Sequence, residues 1–109
     1  YYIQQEYKII NEYKDIYLNC KAHTVTINNN NLTLTNTEYK ILELFLKHPR
    51  QILTKENLYE IIWEKQYFPD DNTLNVHISK LRKKLEELGN YSPYIDTIWG
   101  IGYRLKIFP

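Results

Sequence analysis

The sequence predicts an α+β domain with strands first, three helices in the middle and a β-hairpin last. Three observations predict it. Short, roughly alternating apolar stretches fill the first third. From Thr35 the apolar period switches to helical spacing. Near the end, Gly100 and Gly102 divide two short apolar runs.

The bulk numbers agree with one small domain. A chain of 109 residues supports a single modest core. Hydrophobic residues make up 43% and charged residues 25%, the globular range. No apolar run approaches the ~20 residues of a membrane span. Residues 1–6 are polar and lack the apolar centre of a signal peptide. The single cysteine, Cys20, has no internal disulfide partner, which suits a reducing, cytoplasmic setting. No Cys/His spacing suits zinc, and no cofactor motif is present.

Four strands are expected at residues 8–10, 16–19, 24–27 and 32–34. Their residues are β-branched or aromatic, with Asn, Lys and Asp between them. The four asparagines at 28–31 predict a tight turn, because Asn tolerates left-handed backbone and caps itself. Thr35 followed by Glu38 resembles a capping box, and Ile41, Leu42, Phe45 and Leu46 follow at helical spacing. His48-Pro49 ends that helix. Thr54 starts a second helix with Leu58, Ile61 and Ile62 as its expected apolar stripe and Trp63 at its close. Residues 64–71 form a polar loop. In the third helix Leu74, Ile78, Leu81, Leu85 and Leu88 step by four and three, one stripe ending at Gly89. Residues 95–99 and 103–107 then form the hairpin. Two short helices, a longer one and a hairpin describe a winged helix-turn-helix.

Charge is nearly balanced at +1, so the whole chain predicts no partner. Its distribution is more informative. Between residues 72 and 84 stand Lys80, Arg82, Lys83 and Lys84 and no acid. On a helical wheel the face opposite the leucines carries Asn72, Val76, Ser79 and Lys83, with Asn75 and Lys80 at its edges. His77, Arg82 and Lys84 flank the stripe. Cations neutralise phosphates, asparagine can pair with adenine, and valine can touch a thymine methyl. A merely solvated polar face would look the same from this helix alone.

The quoted residues resemble a known family. LTLTNTEYKILELFLKHP (32–49), ILTKENLYEIIW (52–63), DDNTLNVHISKLRKKLE (70–86) and TIWGIGYRL (97–105) look like the OmpR/PhoB-type effector domain of two-component response regulators. The resemblance spans about residues 7–106. It implies an N-terminal four-stranded antiparallel sheet, a three-helix bundle and a C-terminal hairpin wing. It also implies sequence-specific binding of double-stranded DNA for transcription regulation. The recognition helix, residues 73–88, would enter the major groove, and the wing, residues 95–107, would meet the minor groove or backbone.

Residue by residue, the base-facing positions would be Asn72, Asn75, Val76, Ser79, Lys80 and Lys83. The backbone-contacting positions would be Trp63, Thr73, His77, Arg82, Thr97, Trp99, Tyr103 and Arg104. The loop residues Glu64, Tyr67, Phe68, Asp70 and Asp71 match the segment that touches RNA polymerase in family activators. The implied partners are DNA with tandem half-sites, bound as a homodimer, and RNA polymerase. A cognate sensor histidine kinase would act through a receiver domain upstream, of which residues 1–6 would be the linker end and residues 7–109 the effector domain.

The chain departs from the family pattern in places. Asn72 and Ser79 stand where members often carry arginine. Trp99 stands where an arginine often reaches into the minor groove, so that role does not carry over. In an extended strand Ile98 and Trp99 point to opposite sides: with Ile98 toward the core Trp99 points outward along the wing, and the alternative folds it back over Tyr103 or the sheet.

Two other functional classes fit the sequence less well. Catalysis lacks a Gly-rich phosphate loop, a nucleophile elbow or paired carboxylates, so no enzyme is expected. A protein-binding winged helix would carry an apolar or acidic third-helix face, whereas this one is basic and polar.

Overall fold

A computed structural model describes residues 12–13, 16–19, 21–89 and 94–106. Four short strands come first: β1 (Glu12–Tyr13), β2 (Ile16–Asn19), β3 (Thr24–Ile27) and β4 (Asn30–Leu32). They pair antiparallel in the order β1-β2-β3-β4. Helices α1 (Asn36–Lys47), α2 (Lys55–Trp63) and α3 (Thr73–Leu88) follow, with β5 (Leu53–Thr54) between the first two. The hairpin β6 (Ile95–Ile98) and β7 (Gly102–Leu105) closes the order.

Strand alternation decides what the first sheet buries. Ile16, Leu18, Val25 and Ile27 point inward, while Tyr17 between two of them is exposed. Asn28 and Asn29 take left-handed backbone, with φ of 53° and 67°, and make the turn. Asn30 and Asn31 instead belong to β4, which pairs Ile27 with Asn30 and Val25 with Leu32. The expected strand at 32–34 therefore begins two residues early, because a two-residue turn brings Asn30 straight into register. The expected strand at 8–10 and the linker at 1–6 lie outside the described residues.

The helices pack their stripes onto this sheet. Thr35 caps α1 as the sequence predicts: its hydroxyl accepts from the Glu38 N–H at 3.2 Å, and Glu38 Oε1 accepts from the Thr35 N–H at 3.0 Å. Ile41, Leu42, Phe45 and Leu46 are buried. In α2 the inward stripe differs from expectation. Leu58 and Tyr59 are buried and Ile62 packs against the core, but Ile61 is 59% exposed. Tyr59 takes the inward place because its ring packs on Trp63 and Tyr67 while its hydroxyl reaches a polar partner. In α3 Leu74, Ile78, Leu81 and Leu85 are buried, and Leu88 is partly so. Gly89 caps α3 without left-handed geometry, at φ −98°. Its hydrogen matters for space instead, since a Cβ there would overlap the buried Tyr94 ring.

The hairpin belongs to a second sheet of order β5-β7-β6, one strand more than the sequence predicts. Leu53 and Thr54, too short a pair to read from sequence, add a third strand opposite Tyr103 and Gly102. The approach is so close that a Cβ on Gly102 would fall on the Leu53 carbonyl and 2.8 Å from the Thr54 Cα. Strand β7 stops at Leu105, and Ile107 lies outside the described residues.

Candidate nucleic-acid interface

The third helix presents a long, acid-free outer face. Its sixteen residues extend about 24 Å at 1.5 Å per residue. Asn72, Thr73, Val76, Ser79, Lys80 and Lys83 are exposed, and no acid occurs before Glu86. These residues share one side because the leucine stripe holds the other against the core.

The N-terminus of this helix is set by Asp71. The Thr73 N–H donates to Asp71 Oδ1 at 2.9 Å, and the Tyr59 hydroxyl donates to Asp71 Oδ2 at 2.9 Å. Hydrogen bonds from Thr73, then from Tyr59, hold the Asp71 carboxyl below its ordinary range, and that bond to Asp71 in turn raises the Tyr59 hydroxyl. Asn72, in the cap position, makes no capping bond. Of the loop residues singled out by sequence, Asp71 therefore orders the recognition helix. Glu64 ends α2 in left-handed geometry at φ 54°, and its N–H donates to the Glu60 carbonyl. Tyr67 is half-buried against Tyr59, while Phe68 and Asp70 face solvent.

The middle of α3 is clasped to the hairpin. Asn75 Nδ2 donates to Asn72 Oδ1 at 2.8 Å, and the Tyr103 hydroxyl donates to Asn75 Oδ1 at 2.7 Å. Asn75, placed among the base readers by the resemblance, thus has both ends of its amide engaged within the chain. Arg82 donates to Thr97 Oγ1 at 2.9 Å and lies 5.9 Å from the Tyr103 ring centroid. Tyr103 is buried, and that burial, offset in part by Arg82, pushes its hydroxyl above the ordinary tyrosine range. Thr97 and Tyr103 pair directly and face α3. Arg104 pairs with Asp96 one residue away and so faces the other side of the hairpin. The structure separates Arg104 from the residues with which sequence grouped it.

Two further polar side chains border this face. His77 packs against Trp63 with 5.4 Å between ring centroids. Its Nδ1 and Arg82 Nε are buried without a hydrogen-bond partner among the described residues. Lys84 behaves differently from the other cations in its window. Its ammonium lies 2.6 Å from Glu38 Oε1, a carboxylate only 2% exposed. Burial pushes Glu38 up, but Lys84 and Thr35 outweigh it and hold the carboxyl below its usual value. Sequence reasoning missed this pair because the partners are 46 residues apart.

The hairpin turn extends beyond the clasp. The Ile101 N–H donates to the Ile98 carbonyl at 3.0 Å, and Gly100 takes φ +77°, the glycine position of a type II turn. Trp99 belongs to this turn and not to the strand, yet it points outward as expected, at 89% exposure. A cleft of about 190 Å³ separates it from α3, floored by Arg82, Thr97 and Tyr103.

Residues 29–105 match the family described as transcriptional regulatory protein, C terminal. The chain belongs to that family, the OmpR/PhoB-type DNA-binding domain of response regulators. The uncharacterized transcriptional regulatory protein YcbL of Bacillus subtilis (strain 168) is 44% identical over 85 residues, which cover 78% of this chain and 38% of that protein. The DNA-binding domain of CpxR from E. coli is 31% identical, with a TM-score of 0.77, over 86% of this chain and 92% of that one. The DNA-binding domain of the response regulator AdeR, solved in complex with an intercistronic region, is 35% identical, with a TM-score of 0.73, over 87% and 96%. The OmpR/PhoB-type domain accounts for less than half of the curated relatives: the chain spans 38% of the length of the first two. Among the described residues no helix is long and apolar enough to cross a membrane.

Proposed function

We propose that this OmpR/PhoB-type domain binds specific duplex DNA to regulate transcription. Helix α3 enters the major groove and the hairpin meets the adjoining backbone and minor groove. The observation that carries the reading is the exposed, acid-free face of α3, held at a fixed offset from the hairpin by Asn75, Arg82, Thr97 and Tyr103. Val76, Ser79, Lys80 and Lys83 reach base edges, with Asn72 at the entry. Trp63, Thr73, His77 and Arg82 approach phosphates. Asn75 and Tyr103 act by positioning this face. An electrostatic term of this kind weakens with salt.

The parent protein carries the remaining partners. A receiver domain phosphorylated by a sensor kinase controls pairing on tandem half-sites about one helical turn apart. The exposed Phe68 and Asp70 offer RNA polymerase a contact beside the recognition helix.

Fluorescence anisotropy on duplexes selected from a random library tests the reading. Affinity should fall linearly with salt on logarithmic axes. Binding that is indifferent to salt, or equal for selected and scrambled duplexes, would refute it.

A further inference from the structure

Trp99 is the most exposed large apolar side chain among the described residues, at 89%, and Ile101 beside it is 49% exposed. They flank Gly100, around which a Cβ would find open space. The tip is nevertheless held firmly. The Lys55 N–H donates to the Ile101 carbonyl at 3.3 Å, and Gly102 is pressed against the Leu53 backbone. An apolar tip on a rigid support invites a partner. Two cations, Lys55 and Arg82, line the same cleft as Trp99, so that partner is anionic nearby and apolar where the tip meets it. A DNA minor groove has that chemistry: phosphate rims with sugar walls and base edges between them.

We infer that Trp99 and Ile101 form an apolar wedge that enters the minor groove and selects for deformable base steps. This inference rests on the DNA-binding reading above. A wedge acts by prying or packing, so it favours flexible pyrimidine–purine steps over stiff A-tracts. Because the tip carries no charge, its contribution is independent of salt, unlike that of the lysines on α3.

The test uses a duplex selected by the wild-type domain and resynthesised with TA, AA or GC at each position facing the wing. The wild type should prefer TA, and Trp99→Ala should abolish that preference and lose roughly tenfold in affinity. The salt slope and the α3-dependent sequence preference should stay as they were. Trp99→Phe should restore most of the TA preference. The share of the tryptophan fluorescence that Trp99→Phe removes belongs to Trp99, and bound DNA should shield that share from acrylamide. Equal affinity of Trp99→Ala and wild type on all three duplexes, or undiminished quenching in the complex, overturns the wedge. Loss of salt-dependent binding by the wild type itself would instead overturn the DNA-binding reading.

Discussion

Replacing Tyr103 with Phe tests whether the clasp between α3 and the hairpin carries stability. The ring stays buried and keeps its packing, so only the hydroxyl is lost. That hydroxyl donates to Asn75 Oδ1 at 2.7 Å. A neutral hydrogen bond contributes a net ~1 kcal/mol, and leaving a buried acceptor unpaired costs ~1–3 kcal/mol. Asn75 is half-buried, so water reaches the freed carbonyl and the lower figure applies. Loss of ~1 kcal/mol should lower the urea midpoint of the free domain by ~0.3–1 M. Asn75→Ala alone should cost a similar amount, since it also removes the bond to Asn72. In the double variant the shared bond is lost only once, so the cycle should show ~1 kcal/mol of coupling. Strict additivity of the two single effects would refute the clasp as an energetic link.

Other consequences follow from named contacts. The folded pKa of Glu38 lies below its ordinary value, so its contribution to stability is complete above about pH 4.5 and is lost as pH falls through the folded pKa. Lys84→Met should therefore lower the denaturation midpoint at pH 7, and the gap from the parent should close on acidification; a gap constant with pH contradicts the pairing. Gly102→Ala should cost ~3 kcal/mol or more, because its Cβ meets β5 backbone that has no side-chain freedom to yield. A thermal melt within a degree or two of the parent would show that β5 can move aside. Lys80→Ala should change which duplex is preferred in a fresh selection, whereas Arg82→Ala should weaken all duplexes alike and flatten the salt dependence; an unaltered preference at Lys80 argues against base contact.

What was legible in the sequence is what local chemistry decides. The capping box at Thr35, the stripe of Leu74, Ile78, Leu81 and Leu85 and the outward Trp99 all follow from residues within a few positions of one another. The failures share the opposite cause. Ile61 fits a helical stripe on paper, but Tyr59 displaces it through contacts with Trp63, Tyr67 and Asp71. Strand β5 exists only because β7 lies beside it. The contact of Asn75 with Tyr103 is hidden for the same reason, since the hydroxyl that engages it comes from 28 residues downstream. The site's residue types were readable; their division into contacting and supporting groups depends on tertiary partners.

That division sets an expectation for the charge carried into the groove. The basic window holds four cations, but they are unequal. Lys84 is tied to the buried Glu38. Arg82 is clasped to Thr97 and half-buried, so its charge stays beside the hairpin as the DNA backbone approaches. Lys80 and Lys83 are exposed. Lys80, Lys83 and Arg82 therefore carry about three positive charges into the groove, whether toward bases or phosphates, and at about −0.9 per displaced counterion this window should contribute about −2.7 to the salt slope. Lys84→Ala should then leave the slope unchanged while lowering stability, and Lys83→Ala should reduce it by about 0.9. If Lys84→Ala flattens the slope as much as Lys83→Ala does, the ion pair with Glu38 opens on DNA, and the partition of this window into structural and DNA-facing cations is wrong.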